Sequence, residues 1–297
     1  MTLEQLRVFL EVARLEHVTN AAGVLNMTQS AVSAALARLE TQHGVKLFDR
    51  VGRRIELTDQ GRRFRYEAAA VLRRAEEARQ MLADMAGQPG GRLAIAASQT
   101  VGTYWLPPYL VQFKAAYPSV EISLSVGNTA WAAEQVREGV ADLAVVEGDA
   151  LGTDLDAQPV ARDRLTLVVG PDHLWSDGRA LAPADLSQSA WAMREPGSGT
   201  RAALEADLET LGIQLDALPH AIELPSNEAC LAAVASGVTA TVVSMRAAAP
   251  HLAAGRVRAA HFAFPDRVFG TLVHAARHRS RAAVAFLEML EQAADDV

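Results

Sequence analysis

The stretch that decides the fold of the N-terminus runs from Thr19 to Ser33 and reads TNAAGVLNMTQSAVS. It predicts two short helices joined by a tight turn at Asn26-Met27, with Thr19 and Thr28 as their N-caps. Ala21 and Ala22 are small enough for the helices to cross closely, and the residues after Thr28 are polar. These are the requirements of a helix-turn-helix, which the stretch therefore predicts.

The flanking residues extend this motif on both sides. Apolar residues at helical spacing between Leu3 and Ala13 predict an opening helix. The helix that begins after Thr28 should run to about Glu40, with a core stripe formed by Val32, Ala35, Leu36 and Leu39. Two apolar pairs then flank the polar tip 50–54, which predicts a two-stranded wing.

Polar residues on the second helix of the motif and on the wing are candidates for DNA contacts. A side-chain amide can form two hydrogen bonds with one adenine, and hydroxyls can contact bases or phosphates. Cations beside the wing can contact phosphates along the backbone or enter a minor groove. The predicted DNA-binding residues are Thr28, Gln29, Ser30, Ser33, Arg38, Arg50, Arg53 and Arg54. The alternative interpretation of the helix residues is an ordinary solvated face.

A long helix is predicted from Thr58 to about Met85, where no proline interrupts a run of alanine, leucine, arginine and glutamate. Its apolar residues recur every three or four positions from Phe64 to Leu82. Because no neighbouring segment is an obvious cover for this stripe, we expect a partner helix to cover it. The glycine-rich segment 87–91 should act as a hinge.

Beyond residue 91 strands and helices alternate, which favours parallel sheets with crossover helices. About 200 residues of this pattern suffice for two small α/β lobes with a cleft between them. The N-terminus of a helix can bind an anion through its free backbone N–H groups, and hydroxyl side chains there can add hydrogen bonds. Two such starts are Ser98-Gln99-Thr100 and Ser198-Gly199-Thr200. In the alternative interpretation, each hydroxyl only caps its helix.

From Leu3 to Gly61 the chain resembles the LysR-type transcriptional regulators. The matching residues include Ala21-Ala22, Gln29-Ser30-Ala31-Val32-Ser33, Leu39-Glu40, Gly44, Leu47-Phe48, Arg50, Arg53, Leu57-Thr58 and Gly61. The resemblance implies a winged helix-turn-helix, a linker helix that pairs two subunits, and a periplasmic-binding-protein-like effector domain with two lobes. Two departures are Gly23 inside a helix and Ala34-Ala35 where many members carry basic or amide side chains, so no operator sequence is inferred.

The resemblance also divides the chain. We expect a winged helix-turn-helix over 1–58, a linker helix and hinge over 59–89, and an effector-binding domain over 90–297. Its first lobe would comprise about 90–162 and 267–297, and its second about 163–266. The hypothesis is a homodimer or homotetramer on a pseudo-palindromic operator in double-stranded DNA, with RNA polymerase as a further partner.

The resemblance places three helix starts along the interlobe cleft, so the predicted effector-binding residues are Ser98, Gln99, Thr100, Thr129, Ser198, Gly199 and Thr200. The expected effector is a small anion or organic acid. Tyr104, Trp105 and Trp131 lie close enough in the sequence to these residues to leave an aromatic acid as an open alternative.

Other classes of protein fit the sequence less well. Ser198 lacks the spacing of a hydrolase nucleophile, His274 and His278 lack a metalloprotease motif, and no phosphate-binding loop occurs. We therefore expect no catalytic residues, no metal and no cofactor; the alternative is a small-molecule-binding α/β protein or enzyme without a role on DNA. The single Cys230 and the lack of a signal peptide favour the cytoplasm. Residues 1–66 carry 10 Lys+Arg and 7 Asp+Glu, whereas the whole chain has a formal charge of −7.

Overall fold

Three helices and a hairpin form the N-terminus, in the order that the sequence predicts. The structure is a computed structural model that describes residues 1–51, 54–84, 89–148 and 153–295. The elements are α1 (Leu3–Leu15), α2 (Val18–Val24), α3 (Gln29–His43), the antiparallel strands β1 (Phe48–Val51) and β2 (Arg54–Leu57), and α4 (Asp59–Asp84). They belong to one compact unit, Met1–Met85, and a second unit comprises Ala86–Val297.

The core of the first unit lies between α1, α3 and the hairpin. Val32, Leu36 and Leu39 are buried there as predicted, whereas Ala35 is only partly buried. Phe9 of α1 lies at their centre, with ring centroids 5.3 Å from Phe48 and 5.0 Å from Phe64. Burial of one large apolar side chain contributes roughly 1.5–3 kcal/mol to the free energy of folding, so this cluster holds α1, α3 and α4 together.

The helix caps agree with the sequence in one case and differ in the other. The Thr28 hydroxyl accepts the backbone N–H of Ala31 at 3.2 Å, which confirms the predicted cap of α3. The predicted cap of α2 is wrong, because His17 takes that position and its Nδ1 accepts the backbone N–H of Asn20 at 3.4 Å. Glu16 adopts a left-handed conformation that ends α1, so the chain turns into α2 before Thr19 is reached.

Part of the apolar stripe on α4 is covered by the protein's own first unit. Phe64, Ala68 and Leu72 pack on the core of the helix-turn-helix, so a partner is not needed to cover them. The stripe continues with Met81 and Leu82, whose exposed fractions are 42 % and 70 %. The sequence-based expectation of a partner helix is therefore restricted to this outer part of α4.

The second unit is built on one mixed sheet. Its strands are β3 (Gly91–Ser98), β4 (Val120–Gly127), β5 (Leu143–Glu147), β6 (Leu155–Val169), β7 (Ala190–Arg194), β8 (His220–Leu224), β9 (Thr239–Ser244), β10 (Arg258–Ala259) and β11 (Asp266–His274). They lie in the order β4-β3-β5-β11-β6-β9-β7-β8, and β10 pairs with β6. The helices are α5 (Pro107–Ala116), α6 (Thr129–Glu138), α7 (Gly199–Thr210), α8 (Asn227–Val234), α9 (Met245–Ala253) and α10 (Arg281–Asp295).

Two long strands cross between two halves of this sheet. Strand β6 pairs with β11 along most of its length and with β9 near its end, and each of these pairings is antiparallel. The predicted parallel pairings are present within each half, among β3, β4 and β5 and among β7, β8 and β9, so the sheet as a whole is mixed. We use lobe I for the half with β3, β4, β5, α5, α6 and α10, and lobe II for the half with β7, β8, β9, α7, α8 and α9.

The start of the first helix in lobe I also differs from the expectation. A short π-helical turn, Val101–Trp105, follows β3, and α5 begins only at Pro107. Proline suits the first turn of a helix because its missing N–H would have no partner there. Thr100 precedes the π-helical turn and makes no side-chain capping bond, so its hydroxyl is available for other contacts.

A buried histidine completes the core of lobe II. The backbone N–H of Trp175 donates to Nδ1 of His173 at 3.1 Å, and Nε2 lies 2.8 Å from the Ser189 hydroxyl. That hydroxyl in turn donates to the Ala190 carbonyl oxygen at 3.0 Å. This chain of bonds requires a neutral ring with its proton on Nε2, and burial lowers the pKa of His173.

Candidate functional site

The predicted DNA-binding residues of α3 lie at its N-terminus and along its outer side. Gln29, Ser30 and Arg38 are exposed, and Ser33 is partly exposed. Thr28 is exposed as well, and its hydroxyl lies 3.0 Å from that of Ser30. Because Val32, Leu36 and Leu39 fill the core, the opposite side of α3 is free to enter a groove of DNA.

The wing is attached to α3 by a carboxylate that sequence reasoning did not single out for this purpose. Oε1 of Glu40 accepts the backbone N–H groups of Leu47 and Phe48 at 2.8 and 3.1 Å. Arg50 is exposed on β1, opposite Ile55 of β2. Arg54 begins β2, and Arg53 lies outside the described residues.

The predicted effector-binding residues of lobe I follow the carboxyl ends of its parallel strands. Ser98 ends β3, Thr100 lies two residues further on, and Thr129 opens α6 after β4. All three side chains are buried, with exposed fractions of at most 5 %. Ligands of α/β proteins bind at this edge of a sheet because loops and helix N-termini meet there. In lobe II, Ser198, Gly199 and Thr200 are buried at the start of α7.

Only one of these hydroxyls caps its helix. Ser198 accepts the backbone N–H of Arg201, in accordance with the alternative interpretation. Helix α6 is instead capped by Asn128, which leaves the Thr129 hydroxyl to donate to Oε2 of Glu147 at 3.1 Å. Thr100 accepts the side-chain amide of Asn227 at 3.0 Å. The hydroxyls of lobe I therefore face other polar side chains, among them a carboxylate.

Arg267 of β11 lies at the centre of these contacts, although sequence reasoning missed it. Its Nη1 donates to the Thr200 hydroxyl at 3.0 Å and its Nη2 to the Thr100 hydroxyl at 3.5 Å. Its Nε donates to Oδ2 of Asp163 at 2.9 Å, directly across from it on β6. One guanidinium on a crossing strand thus binds a hydroxyl of each lobe.

Two carboxylates share this guanidinium. Glu147, the last residue of β5, has its Oε1 at 3.7 Å from Nη2 of Arg267, and Asp163 forms the shorter ion pair. Burial raises the pKa of the Glu147 carboxyl, but the charge of Arg267 and the hydroxyls of Ser98 and Thr100 outweigh it, so the pKa lies below its usual value. Glu147 is therefore a buried carboxylate that stays charged at neutral pH. The only sequence signal was an acidic residue at the end of the apolar run Leu143–Glu147.

Further hydrogen bonds join the lobes around this cluster. Oε1 of Gln99 accepts the backbone N–H of Asn227 at 2.8 Å, and the Tyr104 hydroxyl donates to Oε1 of Glu228 at 2.7 Å. The lobes also approach each other closely at Gly199, where a Cβ atom would lie 2.6 Å from Oγ1 of Thr129. Seven predicted effector-binding residues thus lie at or beside one contact region between the lobes.

Other candidate sites have a structural explanation. Cys230 is fully buried in α8, and burial raises the pKa of its thiol to about 11, so it packs as an apolar residue. Among the described residues, no group of three or more His, Cys, Asp or Glu side chains could hold a metal ion. No helix in the described part of the chain is long and apolar enough to cross a membrane.

Comparison with known proteins identifies both units. Residues 3–62 match the family model described as bacterial regulatory helix-turn-helix protein, lysR family, and residues 86–295 match that of the LysR substrate binding domain. The chain is 34 % identical to the HTH-type transcriptional regulator YeiE of Escherichia coli strain K12, over 99 % of this chain and 98 % of that protein.

Solved structures share the fold. The regulatory domain of CcmR from Synechocystis PCC6803, solved in complex with 2-PG, is 27 % identical over 70 % of this chain and 99 % of that one, with a TM-score of 0.63. Full-length CbnR, solved with its target DNA, is 21 % identical over 99 % and 100 % of the two chains, with a TM-score of 0.73. The two family models and the match to YeiE show that the chain belongs to the LysR family of bacterial transcription regulators, which carry a DNA-binding helix-turn-helix and an effector-binding domain with two lobes.

Proposed function

We propose that α3 reads the operator through Gln29, Ser30 and Ser33, and that Thr28, Arg38 and the wing arginines bind the phosphates beside it. The observation that carries this proposal is the exposure of Gln29 at the N-terminus of a helix whose opposite side is fully packed. A glutamine in this position can donate to and accept from one adenine. CbnR, which shares the fold, was solved on its target DNA.

The division of the chain into 1–58, 59–89 and 90–297 remains part of this proposal, as does the dimer. The outer part of α4, with Met81 and Leu82 exposed, is the surface that we assign to a second copy of the chain. Two copies of α3 would then face successive major grooves of a pseudo-palindromic operator. Because its target is DNA, we place the protein in the cytoplasm and assign it no enzymatic activity.

For the effector we propose a small anion held between the lobes by the hydroxyls of Thr100, Thr129 and Thr200. The first two follow the carboxyl ends of lobe I strands, the third lies in the first turn of α7, and the Arg267 guanidinium contacts the hydroxyls of Thr100 and Thr200. Arg267 supplies a buried positive charge there. The CcmR regulatory domain, which shares the fold of the second unit, was solved in complex with 2-PG.

The first test is a mobility-shift titration of the full-length protein with duplex DNA from its own promoter region, at several salt concentrations. Gln29→Ala should weaken specific binding by about 5- to 150-fold, the cost of about 1–3 kcal/mol for one bidentate base contact. The salt dependence should not change, because no phosphate contact is lost. The control is Gln112→Ala, an exposed glutamine of the second unit. Equal affinities of the two variants would refute the proposed reading residue.

The effector proposal is tested by the thermal stability of the full-length protein with small carboxylates, inorganic phosphate and sulfate at constant ionic strength. A ligand of the native state raises the melting temperature, and Thr200→Val should lower the affinity for it because a buried donor and acceptor is lost. Thr210→Val, which removes an exposed hydroxyl from the same helix, is the control. If every anion in the panel acts equally on the two variants, the assigned site is wrong.

A further inference from the structure

The donors of the proposed effector site converge on a carboxylate that belongs to the chain itself. The Thr129 hydroxyl donates to Oε2 of Glu147 at 3.1 Å, and Nη2 of Arg267 lies 3.7 Å from its Oε1. Thr100 accepts bonds from Asn227 and Arg267, so its own hydrogen is free to point at Glu147, whose pKa it lowers. The side chain of Glu147 is nine-tenths or more buried, so these contacts replace its hydration.

One donor of the site is only weakly used, because it lowers the pKa of Glu147 without forming a full hydrogen bond. The Ser98 hydroxyl is 1 % exposed and close to Glu147, yet it forms no hydrogen bond of standard geometry within the described residues. A buried hydroxyl without a full partner costs free energy, so the site offers more donor capacity than the Glu147 carboxylate takes up. A free carboxylate or similar oxyanion, which accepts about four hydrogen bonds, would use this capacity better.

The cluster is also balanced in charge without a ligand. Arg267 faces Glu147 and Asp163, and Asp163 has a second cation in Arg246, whose Nε lies 3.6 Å from its Oδ1. An added anion would therefore meet a site whose positive charge is already neutralised. Unlike-charged groups attract strongly in such a dry site, and two carboxylates there repel each other.

We propose that Glu147 is a resident ligand of the effector site: its carboxylate occupies the place of the effector's anionic group, and the effector acts by displacing it. This inference rests on the proposed effector site. The displacement reaches lobe II because Glu147 abuts it, and a Cβ atom on Gly199 would lie 2.8 Å from the Glu147 carbonyl oxygen. The signal is then an exchange of one carboxylate for another at the lobe contact, rather than the closure of an empty cleft.

Chemical complementation tests this inference with formate as the probe. Glu147→Ala removes the resident carboxylate and leaves its donors, so formate should bind the full-length variant at least tenfold more tightly than wild type and restore its melting temperature. Sodium chloride at equal concentration should not. The matched control is Glu228→Ala, which removes an acid from the same lobe contact by deleting the partner of Tyr104. Formate binding by the control as tight as by Glu147→Ala would overturn the inference.

A second variant covers the case in which Glu147→Ala does not fold. Glu147→Gln keeps the size of the side chain and the bond from Thr129 but removes the negative charge, so formate should again bind at least tenfold more tightly than to wild type. Unchanged affinity would overturn the inference. These measurements need no DNA, so they are independent of the reading residues. An anion that binds wild type in a Thr200-dependent way, with no gain in either Glu147 variant, would leave the effector site standing and refute only the resident ligand.

Discussion

Two helical glycines in the first unit should respond to the same substitution in opposite directions. Gly61 lies in the first turn of α4, where a Cβ atom would be 2.1 Å from the Leu47 carbonyl oxygen and 2.8 Å from Cδ2 of Leu57. Around Gly23 in α2, no heavy atom lies within 4 Å of the added carbon. Neither glycine has a positive φ, so packing and helix propensity decide both outcomes.

The magnitudes follow from these contacts. In Gly61→Ala, α4 must move away from Leu47, whose carbonyl oxygen accepts the Thr58 N–H at 3.0 Å. Overpacking destabilises the unit by about 1–3 kcal/mol and the weakened hydrogen bond by about 1 kcal/mol, whereas the higher helix propensity of alanine stabilises it by about 1 kcal/mol. We expect a net loss of about 2 kcal/mol. Gly23→Ala should gain up to about 1 kcal/mol, because only the propensity changes.

Hydrogen exchange of the full-length protein, read by mass spectrometry on peptides from residues 1–84, measures both effects. A difference of about 3 kcal/mol between the variants corresponds to exchange rates that differ on the order of a hundredfold. Melting followed by tryptophan fluorescence is the internal control, because Trp105, Trp131, Trp175 and Trp191 all lie in the second unit. Protection of Gly61→Ala equal to that of wild type, or a loss in Gly23→Ala, would refute the reasoning.

Two further predictions concern single polar side chains, Glu40 and His173. Glu40→Ala leaves the N–H groups of Leu47 and Phe48 without their acceptor and should lower the free energy of unfolding by about 2 kcal/mol. Glu40→Gln keeps an oxygen there and should lower it less. Hydrogen exchange of the wing measures the difference, and equal protection in both variants would contradict the prediction. His173 binds a proton less readily when folded than when unfolded, so the melting temperature of the second unit should fall as the pH drops below about 6.5. His173→Gln should flatten this dependence in melts followed by fluorescence, and an unchanged slope would show that other groups cause it.

The local pattern of the sequence determined most of the N-terminal unit. The stripe Val32, Leu36 and Leu39 and the cap Thr28 depend on residues at most a few positions apart, so helical periodicity and hydrogen-bonding preferences predict them. The same reasoning failed for α2, where His17 is the cap, because a left-handed residue at the end of α1 fixes where the next helix begins. It placed the hydroxyls Thr100, Thr129 and Thr200 at helix starts but did not identify their partners.

Only the tertiary structure decided those partners. Arg267 lies 104 residues from Asp163 and 120 from Glu147, and the antiparallel pairings of β11 with β6 and with β5 bring all three together. In the sequence each of them resembles an ordinary solvated charge, because whether a charged group is buried depends on strands that are distant in the chain. Helices and caps are properties of a short segment, whereas a buried ion cluster exists only when several segments exclude water from one place.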